Sequence, residues 1–141
     1  MTQGKDLKIR LKIELPGGVR LGYGKVDLLR AVAREASISA AARTMGMSYR
    51  RAWLLIDELN KSFASPVIET RIGGKAHGGA TLTQMGEKIV AIYQAAEEQA
   101  KTAMAENLSD LAACLAPETE IVTETGTVTG DLAEFSETDE A

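Results

Sequence analysis

A mainly α fold with a small β component is predicted by three features of the sequence. Two helix-like stretches lie close together across a single glycine, Gly46. A glycine-rich segment, residues 73–79, separates two short runs that read as paired strands. A long stretch with helical periodicity then follows from residue 84. Apolar residues make up 45% of the chain and aromatics only 4%, so the predicted core is aliphatic.

Taken in order, residues 7–15 alternate apolar and charged side chains, which predicts a half-buried strand with Leu7, Ile9, Leu11, Ile13 and Leu15 on one face. Pro16-Gly17-Gly18 breaks it, and Val19-Arg20-Leu21 is placed to return as a second strand, so residues 1–22 form an N-terminal hairpin segment. Gly22-Tyr23-Gly24 leads into a helix over residues 25–35, with Val26, Leu29, Val32 and Ala33 along one stripe. Ser39 is placed to cap a short helix over 40–45, and Gly46 supplies the left-handed turn that ends it. Ser48 caps a second helix, residues 49–60, whose Ala52, Leu55, Ile56 and Leu59 recur at three and four.

Ser65-Pro66 ends that helix, and residues 67–71 and 80–83 are predicted as a hairpin around the glycine-rich tip. Thr83 caps a long helix from residue 84 through at least 105, with Ile89, Ile92, Tyr93 and Ala96 as its apolar stripe. Asn107-Leu108-Ser109 is the expected interruption before a short helical extension within residues 107–116, stopped by Pro117. Residues 117–141 carry eight acidic side chains and no basic one, the composition of a disordered tail.

Helix, glycine turn, helix and hairpin, in that order, describe a winged helix-turn-helix with a long C-terminal helix, here over residues 23–106. Two helices that cross steeply over a short turn need a small side chain where they touch, and Ala42 is so placed. Four residues on, the backbone needs positive φ, which Gly46 adopts without strain. Met47, Ala52 and Leu55 then fall where side chains must point inward.

In this architecture the second motif helix presents its first turn to the DNA major groove. That turn is Ser48-Tyr49-Arg50-Arg51. Arginine makes a bidentate contact to the guanine edge, and the Ser and Tyr hydroxyls suit phosphate or base contacts. Ser39, near the start of the first motif helix, joins these candidates. Trp53, one step from Ala52, suits packing as well as groove contact. Leu54 falls on the outer face, where a leucine is out of place unless it touches a thymine methyl or a partner. On the wing, Arg71, Lys75 and His77 are the candidate residues for backbone contact, and a cation there adds salt-dependent affinity.

Charge supports this reading. Residues 1–76 hold 14 basic against 7 acidic side chains, a balance of +7, whereas residues 77–141 hold 2 against 13, a balance of −11. A basic front half suits a polyanionic partner. Other classes fit poorly. One cysteine, Cys114, and one histidine, His77, allow neither an intrachain disulfide nor a Cys/His zinc site. The glycine tip lacks the strand–loop–helix context and the Gly-Lys-Ser/Thr ending of a P-loop. His77 has no nucleophile in a recognisable motif beside it, so no enzymatic activity and no cofactor are expected. With no apolar run near the roughly 20 residues of a membrane span and no signal-like start, a cytoplasmic protein is expected.

Ser37-Ile38-Ser39, Ala42, Gly46, Ser48-Tyr49, Ala52-Trp53, Ile56, Glu58 and Asn60 resemble the DNA-binding domain of ModE-type, molybdenum-dependent transcriptional regulators. Gly73-Gly74-Lys75, Gly78-Gly79-Ala80, Leu82-Thr83 and Gly86 extend the likeness over roughly residues 24–100, and LysR-type regulators share the same motif style more distantly. The resemblance implies a homodimer that binds double-stranded DNA at an inverted-repeat operator. It does not imply molybdate binding, because the roughly 35 acidic, Thr/Glu-rich residues after the long helix are too few for the family's molybdate-binding barrel. A protein-interaction module and a nonspecific DNA-binding protein are the alternative uses of such a fold.

Overall fold

The computed structural model describes residues 7–71 and 79–117. Its elements are β1 (Lys12–Glu14), β2 (Arg20–Gly22), α1 (Tyr23–Glu35), α2 (Ile38–Met45), α3 (Tyr49–Ser62), β3 (Ile68–Arg71), β4 (Gly79–Leu82), α4 (Gln84–Ala103) and α5 (Ala105–Ala113). This is a mainly helical winged helix-turn-helix with two small antiparallel sheets, the fold class the sequence predicts. The described residues divide into a large unit, residues 9–102, and a smaller one that contains α5.

The core of the large unit forms where α1 packs on α2, α2 on α3, and α1 on β2 and β4. Val26, Leu28, Leu29, Ala31 and Val32 of α1 meet Ala41 and Ala42 of α2 and Ala52, Ile56 and Leu59 of α3, all at 2% exposure or less. Burial on α1 is wider than one stripe: Leu28 and Ala31 are inside, while Ala33, expected on the apolar face, is exposed. Contacts from three sides account for this, because α1 is covered by a helix and by both hairpins.

The N-terminal hairpin is shorter than the alternation predicts. Only Lys12–Glu14 pairs with Arg20–Gly22, in register Ile13↔Leu21, and Ile13 is exposed. Leu21 is taken into the core and its partner is left outside, so alternation marks a face without saying that anything covers it. Leu11 and Leu15 do pack against the core. The segment is also fastened by Tyr93 of α4, whose hydroxyl donates to the Leu11 carbonyl at 2.7 Å. Burial raises the Tyr93 pKa above its ordinary 10.0, with Glu97 and Asp27 adding to the shift.

The second hairpin pairs β3 with β4 from Ile68↔Leu82 to Arg71↔Gly79, close to the expected strands. Thr83 caps α4 as predicted: its hydroxyl accepts from Gly86 N at 2.9 Å and donates to the Pro66 carbonyl at 2.7 Å. Gly86 has no alternative here, because a Cβ would run into the Val67 carbonyl. Of the stripe assigned to α4, Ile89 and Tyr93 are buried but Ile92 is 55% exposed. The helix ends at Ala103, and helical bonding restarts beyond Met104, so the break falls before the expected Asn107-Leu108-Ser109, which lies inside α5. The acidic tail expected over residues 117–141 falls, after Pro117, outside the described residues. Among the described residues, no helix is long and apolar enough to cross a membrane.

Candidate nucleic-acid interface

The two motif helices are set by local chemistry at three positions. Ser37, with extended backbone, caps α2 by accepting from Ala40 N at 3.0 Å. This corrects the assignment of the cap to Ser39, which lies inside the helix and is exposed. Ile38 is buried and is already helical, so the helix starts two residues earlier than expected. At the other end Gly46 has φ 71°, and its N–H bonds to the Arg43 carbonyl at 3.1 Å while Met47 N bonds to Ala42 at 2.9 Å. That left-handed residue reverses the chain in the space of a few atoms. Ser48 then caps α3, accepting from Arg51 N at 3.0 Å.

On α3 the inward side is Ala52, Leu55, Ile56 and Leu59. Outward lie Tyr49 and Leu54, 55% and 59% exposed, with Arg50 also exposed and Arg51 half-buried. Trp53 takes the packing role in part: it is half-buried against the core, and its ring meets Tyr49 edge-on at 6.3 Å and 81°. The pair fixes the attitude of the tyrosine at the first turn.

The charge on this turn runs against helix stability. The N-terminus of a helix carries partial positive charge and favours acidic side chains by about 0.3–1 kcal/mol each. The first turn of α3 has no acidic residue and two arginines instead. No acid occurs from Ser48 to Ile56. The first one met, Asp57, is paired with Lys61 at 3.0 Å.

The wing is held to α3 by a residue whose structural role the sequence did not reveal. Asn60 Oδ1 accepts from Val67 N at 2.8 Å and from Ile68 N at 3.1 Å, so one amide satisfies the backbone where the hairpin begins. Its partners lie seven and eight residues away, beyond helical range, and no local pattern announces them. The return strand is tied to α1 by Ala80 N and the Ala36 carbonyl at 3.2 Å. Arg71 is exposed at the end of β3. Lys75 and His77, the other wing candidates, lie outside the described residues. At the far end of α3, Glu58 meets Lys25 at 3.2 Å, and Lys25 also donates to the Arg20 carbonyl. The structure thus groups Tyr49, Arg50, Arg51, Trp53 and Leu54 on two turns of one helix. Among the described residues, no group of His, Cys, Asp and Glu is arranged to hold a metal ion.

Residues 24–87 match the family model of the bacterial regulatory helix-turn-helix protein, lysR family. The chain is 50% identical to the molybdenum-pterin-binding protein MopB of Rhodobacter capsulatus over 80 residues, 57% of this chain and 30% of that protein. It is 36% identical to the molybdenum transport protein ModE of Azotobacter vinelandii over 95 residues, 67% of this chain and 35% of that protein. With the DNA-binding transcriptional dual regulator ModE of Escherichia coli K12 it shares 38% identity over 69 residues, 49% of this chain and 26% of that protein. The chain therefore spans only about a third of the length of these relatives. Helix order, glycine turn and hairpin agree with these likenesses: residues 24–87 match a LysR-type helix-turn-helix domain, and the chain shows partial homology to ModE and MopB.

Proposed function

We infer that this protein is a DNA-binding transcriptional regulator, acting in the cytoplasm as a homodimer on an inverted-repeat operator. The observation that carries the reading is the first turn of α3. Two arginines, Arg50 exposed and Arg51 half-buried, occupy positions that helix stability reserves for acids, in a stretch of sequence without a carboxylate from Ser48 to Ile56. A residue choice that costs local stability points to a use outside the fold. The similarity to a DNA-binding transcriptional regulator supports the same use. Their molybdenum and molybdenum-pterin binding is not extended to this chain.

In this reading α3 lies in the major groove, with Arg50 and Arg51 on base edges or phosphates. Ser48 and Tyr49 meet the backbone at the groove lip, and Trp53 braces Tyr49. The wing, residues 67–83, reaches the flanking phosphates through Arg71, Lys75 and His77. Ser39 stands at the outer side of α2 for a further backbone contact. No cofactor is needed and no covalent chemistry is performed.

The test is enrichment of duplexes from a random-sequence pool by the full-length chain, followed by titration over a salt series. An inverted repeat should emerge, and log affinity should fall linearly with log salt, by roughly 0.9 per phosphate neutralised. Arg50→Ala should relax preference at one base pair per half-site and weaken binding by about 10-fold, within the ~1–3 kcal/mol of a bidentate base contact. A flat salt response with no enriched sequence would leave the fold to a protein partner and overturn the reading.

A further inference from the structure

Leu54 is the most exposed of the large apolar side chains on α3, at 59%. The core takes Ala52, Leu55, Ile56 and Leu59 from this helix and makes no use of Leu54. It stands one turn beyond Arg50 in the same row of side chains, four residues apart. Beyond it the row continues with Asp57, held by Lys61 at 3.0 Å. Leu54 is therefore an apolar side chain set between an arginine and a neutralised ion pair, on the face that carries the cations of α3.

An apolar group in such a surface gains from a polyanion only where the polyanion is itself apolar. Phosphates offer nothing of that kind, and the sugar carbons are the same at every nucleotide, so only a base can make the contact specific. The major-groove edge of DNA offers one methyl group, the C5-methyl of thymine, on one of the four bases. We propose that Leu54 determines specificity by packing on a thymine C5-methyl. This rests on the reading that α3 enters the major groove. Four residues of helix rise about 6 Å, and base pairs repeat every ~3.4 Å, so the thymine lies within about two base pairs of the one met by Arg50.

The experiment uses the full chain and its enriched duplex, with each thymine replaced singly by uracil, which removes the methyl group and nothing else. One buried methyl-sized group corresponds to about fourfold in affinity. Wild type should lose about that factor at one thymine in each half-site and little at the others. Leu54→Ala should bind the thymine duplex more weakly by at least the same factor and become indifferent to uracil at that position. Leu54→Met, which keeps an apolar side chain, should stay sensitive. Because Leu54 is exposed, the variants should melt as wild type does, which circular dichroism checks. A Leu54→Ala variant that binds as tightly as wild type, or that keeps the full response to uracil, overturns the contact. Arg50→Ala separates failure of the groove placement from failure of the thymine contact. If it binds every duplex as wild type does, the placement of α3 in the groove fails. If it weakens binding while Leu54→Ala does not, only the thymine contact fails.

Discussion

Tyr93 shows how one side chain can join two ends of the sequence. Its hydroxyl reaches the Leu11 carbonyl across 82 residues, and its ring is almost wholly buried. Burial also raises its pKa, so the folded state holds the phenolic proton more tightly than the unfolded chain does. The stability this contributes is fully present below the ordinary pKa of 10.0 and is lost as pH rises through the raised value. Tyr93→Phe should lower stability at pH 7 by about 1 kcal/mol, the net worth of a hydrogen bond. The deficit should shrink above about pH 10, because the variant has no phenol to ionise. Chemical denaturation at pH 7 and pH 10.5 checks both; an equal deficit at the two values would contradict the argument. Other single residues were legible in advance for local reasons. Gly46, Ser48 and Thr83 each serve a turn or a cap within three or four residues of themselves. Ser37 was not legible, since two serines two residues apart are equal as caps until Ile38 is known to be buried.

Among elements, α3 and the β3–β4 hairpin are coupled by few atoms. Asn60 holds the Val67 and Ile68 amides, and Thr83 holds the Pro66 carbonyl, so the start of the hairpin is gripped from both sides. Asn60→Ala leaves two backbone N–H groups without their acceptor and should cost about 1–3 kcal/mol. Thermal unfolding measures that cost. The same variant should weaken DNA binding more than its stability loss explains, because the wing loses its fixed attitude to α3. Periodicity revealed that these elements exist; it did not reveal how they are joined. The same limit explains Ile13 and Ile92, which fit their apolar stripes and are nonetheless exposed. Spacing assigns a side chain to a face, and only a neighbouring element decides whether that face is covered. The break at Met104 had no glycine or proline to announce it.

At the scale of the whole molecule, the sequence separates charge along its length, +7 before residue 77 and −11 after. The basic part holds α3 and most of the wing, so the proposed polyanion partner draws on arithmetic together with one helix-turn-helix pattern. The dimer proposed here makes a geometric prediction of its own. Two-fold related copies of α3 would reach half-sites ~34–36 Å apart, one helical turn of DNA, or a multiple of that spacing. Inserting five base pairs between the half-sites should turn one of them to the opposite side of the duplex and reduce affinity to that of a single half-site. Inserting ten should restore the facing and recover part of the loss. Gel-shift titration of the three duplexes checks this, and equal affinities would argue against two coupled copies.

Returning to α3, the side chains that hold the helix in place and those that face outward are separate sets. Ala52, Leu55, Ile56, Leu59 and Asn60 belong to the first, and Tyr49, Arg50 and Leu54 to the second. Under the proposed function, such a helix can change what it reads without renegotiating how it folds. Variation at positions 49, 50 and 54 is thus open to selection on binding alone, whether by descent from a duplicated gene or by design in the laboratory. The scaffold would tolerate a small alphabet of outward residues as interchangeable type in a fixed frame.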